Sequence, residues 1–470
     1  MFFSFLDRYA SLLITVGSSM VLARLLTPAE IGVFSVTMVL LIFVNTVRDL
    51  NAGQYLVQEK NLTVDHIRSV WALQLGLGLG LALLVLLAAY PVAWFYKEPR
   101  MRDIMIVVAF NYAVNPFGSL TNAWLVREMR FQSLAVMRFI SSLIGAAISI
   151  GLAWQGWGPI SLALGSLATT LVNAVLATFY RPRSFPWLPG TTHIRSILGF
   201  GSKVTGSSFI SNLASNSPEL LLGKLQDLTA VGHFSRANGL VQMFYRLFSD
   251  AVGTVCMPWF AKQSREGGSL SDPFLKATSY MTVLGWPFCV GLACLAYPVT
   301  ELLYGDQWRD SVGMTRILAL ATAFSVPAVL CRTALLSSGH VDRVMRVTVQ
   351  SAVPTTLLVL AGAHFGLIYV GWALVLAAIL STGLWLQAVH ALLEFRLHAL
   401  MSSSWVSLKV SALTAIGPFA VYAYFGEAPA HILPPLVLGI STGIVGFLGG
   451  VVCFKHPLRE ELGAALARRQ

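Results

Sequence analysis

The chain has 470 residues, 56% of them hydrophobic and only 11% charged, with 32 Lys and Arg against 21 Asp and Glu for a formal net charge of +11. A soluble domain carries roughly 25% charged residues, so a water-soluble fold is excluded, and the mean hydropathy of +0.70 places the chain in lipid. The positive excess sits in short gaps between apolar runs, which reads as loop lysines and arginines rather than a nucleic-acid surface.

Apolar runs of roughly 17 to 25 residues are long enough to cross a bilayer, and about fourteen occur. In the amino-terminal part, 1–180, they cover about 9–26, 31–47, 70–90, 104–124, 134–154 and 159–180. A basic, proline-bearing connector at 181–196 leads to a second set within 197–390, at about 197–222, 231–259, 274–298, 313–337, 344–363 and 366–390. Two further runs, 405–425 and 433–454, fall in the remaining 391–470. No cleavable signal segment is expected before the first run, which is expected to act as its own insertion signal. With the amino terminus inside, the even-numbered connectors and the tail hold about twenty Lys and Arg against about seven on the other side. That bias puts both termini in the cytoplasm.

The halves echo one another. Leu22 to Ser35, LARLLTPAEIGVFS, superposes without a gap on Leu222 to Ser235, LGKLQDLTAVGHFS, at an offset of 222 − 22 = 200. Pro116 and Pro327 fall in corresponding runs at an offset of 327 − 116 = 211, and Val136-Met137-Arg138 matches Val344-Met345-Arg346 at 344 − 136 = 208. Slowly drifting offsets in one order are what changes in loop length produce. The expected fold is an all-α polytopic membrane protein of about 14 helices: two pseudo-symmetric six-helix lobes plus two carboxy-terminal helices.

Several patterns carry no chemistry. Gly76, Gly78 and Gly80 lie in the third run with no strand before them, and the four-residue spacing of Gly76 and Gly80 reads as close helix packing. Cys256, Cys289, Cys294, Cys331 and Cys453 form no C-x-x-C pair and read as packing residues. The nine histidines show no ligand spacing, so neither metal nor cofactor is expected.

The seventh run says more. Ser208, Asn212, Asn216 and Glu219 recur at three- and four-residue spacing, a polar stripe on an apolar helix. Such a stripe either joins helices by hydrogen bonds or faces a hydrated cavity. The second reading is favoured because a carboxylate is costly in lipid and marks a pathway, with Glu219 and Asp250 the candidates for ion coupling. Pro218, Pro116 and Pro327 are expected to break their helices. Arg24, Arg236, Arg246 and Arg332 supply candidate cations, Arg332 read as deep in the tenth run and Arg246 paired with Asp250 four residues on. A cationic, hydrated chamber suits an anion with polar bulk. Each hydroxyl moved unpaired into hydrocarbon costs roughly 2–7 kcal/mol, and guanidinium groups match phosphate.

The segments LARLLTPAEIGVFSVTMVL, RDLNAGQYLVQEKNLT, REMRFQSLAVMR, LLLGKLQDLTAVGHFSRANGL, MPWFAKQSR and LLYGDQWRDSVGMTRILAL together resemble the polysaccharide exporter family, the Wzx-type flippases of the multidrug, oligosaccharidyl-lipid and polysaccharide exporter superfamily. The resemblance implies a MATE-like fold and alternating access. It also implies translocation of undecaprenyl-diphosphate-linked repeat units across the bacterial inner membrane for exopolysaccharide, capsule or O-antigen assembly. The implied partners are that lipid-linked glycan, membrane lipids, and a polysaccharide polymerase and co-polymerase. The family's cationic-cavity pattern carries over to Arg24, Arg236 and Arg332. A cation-coupled drug antiporter and a peptidoglycan-precursor flippase of the same superfamily are the near alternatives. A glycan polymerase would need a large loop outside the bilayer, and no odd-numbered connector exceeds about fifteen residues.

Overall fold

A computed structural model describes residues 2–48, 62–182, 185–186, 188–192, 194–244, 268–393, 397–429 and 431–459, together with 55–56, 252, 256, 259–260 and 263. The chain is helical: α1 (Phe2–Leu25), α2 (Pro28–Arg48), α3 (Val64–Tyr96), α4 (Pro99–Arg127), α5 (Phe131–Trp154), α6 (Ile160–Tyr180), α7 (Ile194–Leu225) and α8 (Leu228–Phe244). There follow α9 (Ser271–Cys294), α10 (Ala296–Tyr304), α11 (Ser311–Ser325), α12 (Cys331–Ser337), α13 (Val341–Phe365), α14 (Leu367–Leu393), α15 (Leu397–Phe425) and α16 (Leu433–Cys453). No strand occurs among the described residues. There, 11 helical stretches are long and apolar enough to cross a membrane, α11 and α12 counting as one. Helices α1, α7 and α8 occupy the other three apolar runs without being among those 11. The five cysteines form no disulfide.

Two compact units emerge, Met1–Gly232 and His233–Gln470. The boundary lies beyond the 181–196 connector because α7 packs against α2 and α3, within the first unit. In the second unit α9 is central, packing on both α11 and α15, while α13 pairs with α14 and α15 with α16.

Both copies of the internal repeat build the same local device. In the first, the Thr27 N–H and hydroxyl donate to Glu30 Oε2 at 2.8 and 2.9 Å, and the Glu30 N–H donates back to Thr27 Oγ1 at 3.3 Å. This capping box, with Pro28 at the first helical position, starts α2; such a cap contributes about 1 kcal/mol. In the second, Asp227 Oδ1 accepts from the Ala230 N–H at 2.6 Å and starts α8. Five residues past each cap stands a glycine, and the two glycines reach across to the opposite copy. A Cβ on Gly32 would overlap the Leu228 carbonyl, and one on Gly232 would overlap the Pro28 carbonyl. Residues related by the 200 offset therefore meet reciprocally, Gly32 on Leu228 and Gly232 on Pro28.

At the far end of the chain His456 closes the second unit. It is fully buried, its Nδ1 accepts from the Leu458 N–H at 3.1 Å, and its Nε2 lies 2.9 Å from Ser279 Oγ on α9 and 3.2 Å from Ser407 Oγ on α15. An Nδ1 that accepts from an amide has no place for a second ring proton, so the imidazole is neutral. Burial holds its pKa below the ordinary 6.5.

Two outcomes are expected. Gly32→Ala and Gly232→Ala force backbone apart and cost at least about 1–3 kcal/mol, whereas Gly17→Ala, whose Cβ meets nothing within 4 Å, changes stability by less than about 0.5 kcal/mol; melting temperatures in detergent compare the three. For His456 the folded pKa is depressed, so its contribution is complete above 6.5 and is lost as pH falls through the lowered value. Melting temperature should therefore drop between neutral and mildly acidic pH, and His456→Leu should flatten that part of the profile.

Candidate functional site

The polar stripe of α7 joins helices at one of its positions. Asn212 Nδ2 donates to Thr46 Oγ1 on α2 at 2.8 Å, which ties the two helices, and Asn216 Nδ2 folds back onto the Asn212 carbonyl at 2.8 Å. Glu219 follows one turn later and is half-buried. Ser208 lies on the α7 backbone, its side chain outside the described residues, as are Arg246 and Asp250 altogether.

The expected break at Pro218 does not occur, since α7 runs through it. Proline leaves the carbonyl four residues back without a donor, here that of Ala214, and the Ser217 hydroxyl donates to it at 2.9 Å. Helix α4 likewise continues through Pro116. The Pro116 ring fits against α3 where Gly78 leaves space: a Cβ there would come within 2.6 Å of Pro116 Cγ. Gly78 is thus the packing glycine, while Gly76 and Gly80 face open space on the other side of the helix.

Pro327 does break its helix. Between α11 and α12 the backbone tightens to a 3₁₀ turn, Val326–Ala328. The carbonyl orphaned by Pro327 is that of Ala323, and the Trp286 indole N–H of α9 donates to it at 2.8 Å. The neighbouring Phe324 carbonyl accepts from Thr382 Oγ1 of α14 at 3.0 Å. Two other helices therefore hold the break open. Arg332 follows it on α12, and its place differs from the sequence reading. It is exposed and 337 − 332 = 5 residues from the end of the span, not deep within it, because the break divides the run and leaves Arg332 on a short final segment.

Arg236 on α8 is enclosed. Its guanidinium carbon lies 5.4 Å from the Tyr304 ring centroid and 5.5 Å from that of Trp308, both rings buried, and it donates to the Tyr304 hydroxyl. One turn earlier, His233 Nδ1 lies 3.0 Å from Ser311 Oγ and its ring stands edge-on to Trp308 at 5.7 Å. Cation–π contacts of this kind are worth ~0.5–2 kcal/mol each, so Arg236 joins α8 to the 304–311 turn. Arg332 stands 332 − 311 = 21 residues along the span that begins at Ser311, about 31 Å away at 1.5 Å per residue. The structure does not bring these two cations together. Arg24 belongs to the first unit, exposed in the last turn of α1.

Two cavities escape a residue-by-residue reading. In the second unit a groove of about 430 Å³ runs between α8, α9, α15 and α16. Its walls include Leu240, Phe288, Leu292, Ile440, Ile444 and Phe447, its floor is opened by Gly291, Gly439 and Gly443, and it carries no charged residue. In the first unit a polar pocket of about 230 Å³ lies between α4, α5 and α6, lined by Asn115, Asn122, Arg138, Ser141, Thr169 and Asn173. Asn122 Nδ2 donates to Asn173 Oδ1 across it at 3.1 Å. Among the described residues no cluster of His, Cys, Asp and Glu could hold a metal ion.

The sequence profile of a family described as "Polysaccharide biosynthesis protein" matches residues 21–313. The chain is similar to the succinoglycan biosynthesis transport protein ExoT of Rhizobium meliloti (strain 1021), with 24% identity over 423 residues, 89% of this chain and 81% of that one. In fold it is similar to the lipid II flippase MurJ in an inward closed conformation, with a TM-score of 0.77, 14% identity and coverage of 97% and 98%. An inward-facing multidrug resistance MATE family transporter of the MOP superfamily follows at a TM-score of 0.65, 14% identity and coverage of 83% and 96%. The architecture is that of a MATE-like polytopic membrane protein.

The break at Pro327 gives a direct test. Trp286→Phe keeps the ring but removes the donor, which leaves the Ala323 carbonyl unpaired at a cost of about 1–3 kcal/mol. Thr382→Val is expected to act in the same direction through the Phe324 carbonyl. Thermal unfolding in detergent measures both, and an unchanged melting temperature for Trp286→Phe would mean that the indole bond does not hold the break.

Proposed function

The chain belongs to the polysaccharide biosynthesis protein family, and from that we propose that it is a flippase carrying undecaprenyl-diphosphate-linked oligosaccharide repeat units across the bacterial inner membrane. It is a transporter, not an enzyme. It works by alternating access between two six-helix lobes, 1–180 and 197–390, within a total of about fourteen crossings and with both termini in the cytoplasm. A polymerase and co-polymerase take the product onward.

The observation that carries this reading is the uncharged groove. A transporter of free, soluble molecules has no use for an apolar channel open along its side, whereas a lipid-linked substrate must keep its polyprenyl tail in hydrocarbon while its head crosses. Unpaired hydroxyls cost roughly 2–7 kcal/mol each in lipid, and only the head needs a hydrated path. Helices α15 and α16 lie outside the six-plus-six repeat and form one wall of the groove, which gives the additional pair a purpose: they hold the tail. The stripe on α7 supplies polar contacts for the head, with Glu219 as the candidate for ion coupling. A cation-coupled drug antiporter needs neither groove nor tail.

The test fills the groove. Ile440 is 48% exposed and lines it, so Ile440→Trp narrows the channel without disturbing buried packing. In a deletion strain, the variant is expected to reach the membrane at the wild-type level yet restore glycan export about tenfold less well, the equivalent of about 1.4 kcal/mol, with lipid-linked oligosaccharide accumulating on the cytoplasmic face. Normal glycan export in the deletion strain itself would overturn the reading. Altered efflux of cationic dyes without a glycan defect would favour the antiporter.

A further inference from the structure

The repeat places a basic residue in the last turn of α1 and of α7, Arg24 and Lys224. Lys224 has a particular setting. Its ammonium lies 3.8 Å from the Phe95 ring centroid and donates to the Phe95 carbonyl at 2.5 Å, which draws the end of α7 onto the turn between α3 and α4. Together they enclose a cavity of about 790 Å³, whose lining includes Tyr90, Trp94, Lys97, Arg102 and Lys224. It lies within the first unit.

Its charge is positive. Glu98 is taken up by Arg100 through hydrogen bonds of 2.8 and 2.9 Å, and Arg102 by Asp103 at 2.8 Å while also lying 5.6 Å from the Tyr90 ring centroid. Neither Lys97 nor Lys224 has a carboxylate partner among the described residues. Lys97 is held in place by its backbone, which adopts the left-handed conformation at φ 57° as the C-cap of α3. Two ammonium groups with no carboxylate partner among the described residues thus line one cavity.

Its position relative to lipid follows from α3. Leu79, Leu83, Leu87, Tyr90 and Trp94 recur at spacings of four and three and are all exposed, Trp94 at 82%. They form one apolar stripe 94 − 79 = 15 residues long, about 22 Å, which ends in an aromatic pair at the mouth of the cavity. Leucines giving way to Tyr and Trp mark the passage from hydrocarbon to headgroup depth. A ligand that satisfies both features has acyl chains for the stripe and a phosphate for the ammonium groups.

We propose that the α3–α4 turn and the end of α7 form a binding site for the phosphodiester headgroup of an anionic phospholipid, with Lys97 and Lys224 on the phosphate and the acyl chains along the leucine stripe of α3. The lipid then bridges α7, the helix that carries Asn212, Asn216 and Glu219, to the α3–α4 pair. Binding is independent of transport and is read without it.

The purified full chain is reconstituted into phosphatidylcholine bilayers that contain bromine-labelled phosphatidylglycerol or bromine-labelled phosphatidylcholine at equal mole fraction. The fluorescence lost on Trp94→Phe isolates the Trp94 signal. Trp94 is expected to be quenched with about fivefold preference for the anionic lipid, the scale set by one lysine at a charged membrane surface. The preference is expected to disappear in Lys97→Gln/Lys224→Gln, to persist in Lys97→Arg/Lys224→Arg, and to be unaffected by millimolar inorganic phosphate. Equal quenching by the two lipids in the wild type overturns the proposal, as does a preference that survives the glutamine pair. Loss of the preference on adding phosphate also overturns it, because the site then reads free phosphate. Circular dichroism melting of each variant establishes that it is folded; if the glutamine pair unfolds, Lys97→Gln alone, exposed and outside every helix, is expected to lower the preference, and an undiminished preference in it overturns the proposal.

Discussion

Two carbonyl oxygens set the geometry from which the first unit follows. The start of α2 and the start of α8 meet backbone to backbone, Leu228 against Gly32 and Pro28 against Gly232, and neither contact leaves room for a side chain. Such an approach favours packing and Cα–H contacts, which draw helices together in lipid where apolar burial no longer does. It also depends on the caps. Thr27 and Asp227 fix where each helix begins, and a start displaced by one residue would rotate the glycine about 100° away from its partner. Cap and glycine therefore form one unit of specification, written once in each half of the chain, with Pro28 added in the first.

How far a sequence reveals such a structure depends on the distance over which its causes act. The capping box at Thr27 and Glu30 spans three residues, and the helical runs, the repeat and the excess of cations are all visible in one dimension. Prolines are only half visible. Pro218, Pro116 and Pro327 look alike in sequence, yet what decides whether a helix breaks is who takes the orphaned carbonyl. Ser217 does so from within the same helix, and α7 continues; Trp286 does so from α9, while Thr382 of α14 takes the neighbouring Phe324 carbonyl, and the helix breaks. Gly78 rather than its neighbours Gly76 and Gly80 is the packing glycine because Pro116 sits opposite it, a fact about α4 and not about α3.

Cations show the same limit. Sequence reading groups Arg24, Arg236 and Arg332 by their shared charge, whereas the structure separates them by environment. Arg236 is wrapped by Tyr304 and Trp308, so part of its charge is already answered by ring faces. Arg332 is near a span end, where a long side chain reaches the interface at little cost. The apolar groove, by contrast, has no signature in any one helix: leucines and isoleucines that look like ordinary lipid-facing residues become a channel only when α8, α9, α15 and α16 are set side by side. The features that speak most directly to a lipid-borne substrate are thus the least legible ones.

The connectors described above are also very short. Leu26 and Thr27 join α1 to α2, Lys97 and Glu98 join α3 to α4, and Gln226 and Asp227 join α7 to α8. A link of that length cannot wait on one side of a bilayer while its second helix is still being made elsewhere. Each pair must enter the membrane as a hairpin, its capped turn leading. The order of biosynthetic insertion is therefore built into the same residues that later hold the finished helices together, and Glu30 and Glu98 carry their partners, Thr27 and Arg100, within three residues of themselves.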